Sequence, residues 1–125
     1  MDKIITQKIY SPRSGCEISC QFNFSDKEII IKIDTKKARC FIDENGSIKW
    51  SGYEDDIGNP LINILENERI YPPTIFTEAL IYIWDSWKKN NITDSILEKE
   101  LSLLINWVND VSKFKPNSEF WVGVF

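Results

Sequence analysis

Apolar and polar residues alternate through residues 16–24: Cys16, Ile18, Cys20, Phe22 and Phe24 fall on one side, and Glu17, Ser19, Gln21 and Asn23 on the other. A period of two sends successive side chains to opposite faces, so this stretch predicts a half-buried strand. Ile29, Ile31 and Ile33 continue the one-sided pattern, as do Ala38, Cys40 and Ile42. Five strands are predicted, over residues 3–10, 16–24, 28–34, 38–43 and 47–53. Between them stand "SPRSG", "SDK", "TKK" and "ENG", all rich in turn formers. Asn45-Gly46 is the strongest signal, since Asn-Gly accepts the positive φ angles of tight hairpins. Connections this short join only antiparallel neighbours, so the first half reads as a β-meander with one apolar face to be covered.

The period then lengthens. Asn59 and Pro60 suit an N-cap and first helical position, opening a short helix over 60–69. "YPP" interrupts the chain, and Phe76, Leu80, Ile83 and Trp87 follow at spacings of 4, 3 and 4, the stripe of a second helix. Lys88 and Lys89 complement the dipole at its end. A third helix starts at Thr93 or Asp94, with a Ser95–Glu98 capping box as the alternative start. Its stripe is Leu97, Leu101, Leu104, Val108 and Val111, and Pro116 stops it. The tail "FWVGVF" has the content of a strand returning to the sheet. Strands first and helices afterwards predict an α+β fold, about five antiparallel strands covered by about three helices, in a single domain over residues 1–125.

Composition fits that picture. The chain is 42% apolar and 27% charged, ordinary for a globular protein. "MDKIITQKIY" has no apolar core of a leader, and "ALIYIW" stops at Asp85, far short of the roughly 20 residues of a membrane helix. A cytoplasmic protein without membrane attachment is expected. Cys16 and Cys20, four apart on a strand, lie roughly 13 Å from each other, too far to share a metal or a disulfide, and read as small core residues. Among the tryptophans, Trp87 on the second helix and Trp107 beside the last stripe are expected in the core.

The chain has no histidine. That removes the Ser-His and Cys-His pairs, the usual general base and the commonest transition-metal ligand. Carboxylate and lysine chemistry remain. The loop "GYEDDIGN" places Glu54, Asp55 and Asp56 in a row, yet it fails as a calcium loop. With Gly58 at the sixth position, Tyr53 and Ile57 occupy the first and fifth; "DENG" fails likewise, with Phe41 first and Gly52 twelfth. Adjacent, solvated carboxylates keep ordinary acidity, which disfavours acid/base work. No catalytic residue, metal or cofactor is expected.

Charge is unevenly distributed. Residues 1–53 carry nine Lys/Arg against seven Asp/Glu, and residues 54–125 carry six against twelve. The negative excess begins at the loop and continues through Glu66, Glu68 and Glu78, an electronegative patch that repels nucleic acid and steers basic proteins. Lys32, Lys36, Lys37 and Arg39 oppose it; without interleaved exposed aromatics they read as guards against edge-to-edge strand pairing.

In size, acidic balance and the acidic, aromatic-bearing "GYEDD" loop, the chain resembles the immunity proteins that bacteria make against secreted toxins, including those of contact-dependent growth-inhibition systems. The resemblance is one of type and not of motif. It implies a non-enzymatic monomer that binds a cognate toxin domain with a basic surface, a nuclease for preference. Tyr53, Glu54, Asp55, Asp56, Glu66 and Glu68 would be its partner-binding residues. Two other classes suit the same totals: an acidic secretion-type chaperone that holds an effector segment, and a small carboxylate- or lysine-dependent enzyme.

Overall fold

A computed structural model describes residues 2–52 and 58–113. Five strands come first: β1 (Lys3–Ser11), β2 (Cys16–Phe24), β3 (Glu28–Ile33), β4 (Lys36–Ile42) and β5 (Ile48–Gly52). Each pairs antiparallel with its neighbours in chain order, making a meander β1-β2-β3-β4-β5. Three helices follow: α1 (Pro60–Asn67), α2 (Pro73–Lys88) and α3 (Asp94–Lys113). The α+β architecture is the one its periodicities predict. The Asn-Gly turn forms as expected: Gly46 sits at φ 79 in the β4–β5 hairpin, where Asp43 Oδ1 accepts from the N–H groups of Asn45 and Ser47.

Registry explains which face is covered. Ile5 lies opposite Phe22, Phe22 opposite Ile31, and Ile31 opposite Ala38, so one row of apolar side chains crosses four strands. All four are buried beneath the helices. Trp84 on α2 is fully buried and donates from Nε1 to the carbonyl of Ser25 at 2.8 Å, which ties the helix layer to the β2–β3 turn. Trp87 packs edge-on against Phe24, with centroids 6.0 Å apart, and donates to Asp94 Oδ1 at 2.8 Å, linking the end of α2 to the start of α3. Truncating such a buried aromatic costs about 3–5 kcal/mol.

Caps delimit the helices. Asn59 Oδ1 accepts from the N–H groups of Leu61 and Ile62 at 2.9 and 3.1 Å, with Pro60 beginning α1. Thr93 Oγ1 accepts from the N–H of Ile96 at 3.2 Å, so α3 starts from Thr93 and the Ser95 alternative is unused. Both α1 and α2 end with a left-handed residue, Arg69 at φ 61 and Asn90 at φ 62. In each case the following N–H reaches back five residues, Ile70 to Leu65 and Asn91 to Ser86, the paired closure that satisfies the last carbonyls. α3 also covers the β1 edge: the N–H of Tyr10 donates to Asn109 Oδ1 at 2.9 Å, and Gln7 Nε2 to Ser102 Oγ at 3.0 Å.

Four expectations need correction. Cys16, the first residue of β2 at the turn end of the β1–β2 hairpin, is exposed, while Cys20 and Cys40 are core residues. Trp107 is 41% exposed; it stands one residue before Val108, roughly 100° around the helix from the buried stripe. Lys32 and Arg39 do not guard an edge, since each is paired on both sides, Lys32 with Gln21 and Lys37 and Arg39 with Ile30 and Ser51. Glu68 is buried, as described below. The tail "FWVGVF", with Trp121, lies outside the described residues. No helix among the described residues is long and apolar enough to cross a membrane.

Candidate functional site

Of the predicted partner-binding residues, Glu66 and Glu68 lie among the described ones. Tyr53, Glu54, Asp55 and Asp56 lie outside the described residues. Glu66, near the end of α1, is exposed. Glu68, two residues on, is 1% exposed and turns inward. Its Oε1 accepts from Ser11 Oγ at 2.7 Å and its Oε2 from Arg13 Nη2 at 2.8 Å, with Lys36 Nζ at 3.9 Å. Its carbonyl accepts from the Arg13 N–H at 3.2 Å. Burial alone would raise the pKa of this carboxyl. The hydrogen bonds from Arg13 and Ser11 and the charges of Arg13 and Lys36 outweigh it and hold the group below the ordinary glutamate range. The chain turns at Arg69 immediately after α1, which carries Glu68 to the β1–β2 and β3–β4 turns. Glu68 joins three turns, and it has no outward face to offer a partner.

A different acidic surface emerges on the helices. α2 and α3 are joined by a short link and lie side by side, presenting a second stripe besides the core one. On α2 it comprises Ile75, Ala79 and Tyr82, at spacings of 4 and 3; on α3 it comprises Ile96, Glu100, Leu103 and Trp107, at 4, 3 and 4. The exposures of Tyr82 (73%), Leu103 (54%) and Trp107 (41%) leave a large apolar area in water. Between the helices runs an open groove of about 380 Å³, with Ala79, Ile83 and Leu104 among its lining, flanked by Tyr82, Leu103 and Trp107. Glu100 also lines this groove, and Glu78 is exposed one turn before Tyr82. Neither carboxylate has a cationic partner among the described residues, whereas Asp85 on the same helix is paired with Lys89 at 2.9 Å and Lys88 at 3.7 Å.

Contiguous exposed apolar surface carrying a tryptophan and a tyrosine has the character of a protein-contact area, because such side chains supply desolvated area at small entropic cost. Unpaired carboxylates within it add orientation. The helical spacing of the second stripe is the signal that sequence reasoning passed over, having matched each helix to a single buried stripe.

The remaining reactive groups are placed differently. Burial drives the Cys20 thiol far above its ordinary value, and pushes Cys40 up to about 11 despite the nearby Lys88 charge, so both are protonated at neutral pH and poor nucleophiles. Among the described residues, no group of three or more His, Cys, Asp or Glu side chains is arranged to hold a metal ion.

Residues 3–112 match the model of an integron cassette protein family, and the chain belongs to that family. Its fold is similar to the integron cassette protein VCH_CASS3 from the mobile metagenome of V. cholerae. The TM-score is 0.80 at 28% sequence identity, covering 99% of this chain and 94% of that one. No curated protein matches the chain.

Proposed function

We propose that this integron cassette protein is a non-enzymatic, monomeric binding protein of the immunity type, which neutralises a cognate bacterial toxin domain in the cytoplasm by covering a basic surface on it. The observation that carries the reading is the outer face of α2 and α3, where Tyr82, Leu103 and Trp107 stand exposed around unpaired Glu78 and Glu100. Apolar anchors give such a contact its affinity, and the carboxylates favour a cationic partner. The negative balance of residues 54–125 points the same way, and Tyr53, Glu54, Asp55, Asp56 and Glu66 remain partner-binding candidates in this reading. Glu68 is withdrawn from it, because its carboxylate is already committed to Ser11 and Arg13.

A toxin domain is expected to be encoded beside this gene, and a neighbourhood without one would count against the reading. That domain is the probe, with binding followed by surface-immobilised kinetics and neutralisation by growth of co-expressing cells. Replacing Leu103→Ser together with Trp107→Ser is expected to weaken binding at least tenfold, as loss of interface anchors commonly does, with an unchanged circular dichroism spectrum. Undiminished binding and protection by the double variant would remove this face from the proposal.

The groove favours one other reading. An acidic chaperone holding an amphipathic effector segment would use the same apolar surface. Light scattering separates the two, since a chaperone of that type is expected to be dimeric and the inhibitor monomeric.

A further inference from the structure

We propose that the open face of the sheet carries an anion site for a phosphomonoester dianion, where Lys32, Lys37 and Arg39 come together. Lys32 on β3 lies directly opposite Lys37 on β4, and Arg39 is two residues further along the same strand, on the same face. With Thr35, Ser51 and Gly52 they line an open depression of about 310 Å³. This site is separate from the helical face and independent of the function proposed above.

Charge makes the case. The Arg39 guanidinium donates to Glu28 Oε1 and lies over the Phe41 ring, 4.3 Å from its centroid, so its charge is already answered. Lys32 and Lys37 have no carboxylate partner among the described residues. Like charges directly opposite on neighbouring strands destabilise a sheet. The usual use of strand lysines, blunting an edge, does not apply at Lys32, which is paired on both sides, with Gln21 and Lys37. Two unanswered cations match the roughly −1.5 to −2 charge of a phosphomonoester near neutrality. Lysine binds phosphate as a point charge, and the Thr35 and Ser51 hydroxyls supply donors without bringing negative charge. At Gly52 the lining has no side chain, which leaves room for a ligand against the backbone.

The experiment is a titration of the full-length protein at low ionic strength, followed by amide chemical shifts and calorimetry. Methyl phosphate is one probe, and a single-stranded oligothymidylate without terminal phosphates is the other. Methyl phosphate is expected to shift the amides of Lys37, Ser51 and Gly52, and the Lys32→Gln/Lys37→Gln pair to weaken its binding at least tenfold. The control Lys8→Gln/Lys99→Gln, which removes the same charge elsewhere, is expected to change binding less than twofold. No methyl phosphate binding, or an equal loss in the control, overturns the site. Binding of the oligonucleotide without methyl phosphate overturns the monoester assignment in favour of a polymer backbone.

Discussion

Glu68 and Glu100 belong to the same negative half of the chain, and the structure uses them in opposite ways. Glu68 is sealed from water and held by Ser11, Arg13 and Lys36. Glu100 lines an open groove with no cation beside it among the described residues. The first carboxylate acts on stability; in the proposed function the second acts on encounter with a partner. Counting charge along the sequence cannot distinguish them, because the difference lies in what folding brings within 3 Å of each.

The largest effect that would break this contrast is at the buried end. Glu68→Ala leaves the Ser11 hydroxyl and the Arg13 guanidinium without their acceptor and unties the three turns. The cost is about 2–4 kcal/mol, tempered by the half-exposed Arg13 side chain, which water can re-solvate. Denaturant unfolding is expected to show a lowered midpoint with an unchanged slope. A midpoint equal to wild type would mean that Glu68 is no more structural than Glu100.

Acidity sharpens the same point. The folded-state value of Glu68 is depressed, so its contribution to stability is complete above the unfolded value of about 4.3 and is lost as pH falls through the folded value. Wild-type stability should therefore decline below about pH 4.3, and Glu68→Gln should flatten that decline while lowering stability at neutral pH. Thermal melts from pH 7 to pH 2 check both limbs. Parallel curves for wild type and variant would assign the acid sensitivity to other carboxylates, such as Asp85, which its hydrogen bond from Lys89 also holds below the ordinary range.

Legibility in the sequence follows the range of the interactions. Turn chemistry and periodicity are local, and they located five strands and three helices to within a few residues of their ends. Asn59 as a cap is legible for the same reason. The surroundings of Glu68 are not, since Ser11 and Arg13 stand 57 and 55 positions away in the chain. Trp107 is a border case. Its neighbours Leu104 and Val108 are buried, and a single step of helical rotation decides between core and surface. The lysines of β3 and β4 were readable in principle, because a five-strand meander places its third and fourth strands inside the sheet. Of the candidate site, the acidic bias is legible and the groove between α2 and α3 is not, for it exists only once the two helices lie together.

The smallest effect belongs to the exposed pair. Glu78→Gln with Glu100→Gln removes two charges that have no internal partner among the described residues, so folding stability should stay within about 0.5 kcal/mol of wild type. Association with a basic toxin domain should nevertheless slow severalfold at low ionic strength. The difference should vanish in about 1 M salt, where screening acts over roughly 3 Å. The apolar anchors are untouched, so dissociation should change little. Stopped-flow rates at a series of salt concentrations separate the two constants. A variant that unfolds more easily would place Glu100 beside Glu68 as a structural group. A variant that dissociates faster without associating more slowly would make these carboxylates direct contacts, not a guiding field.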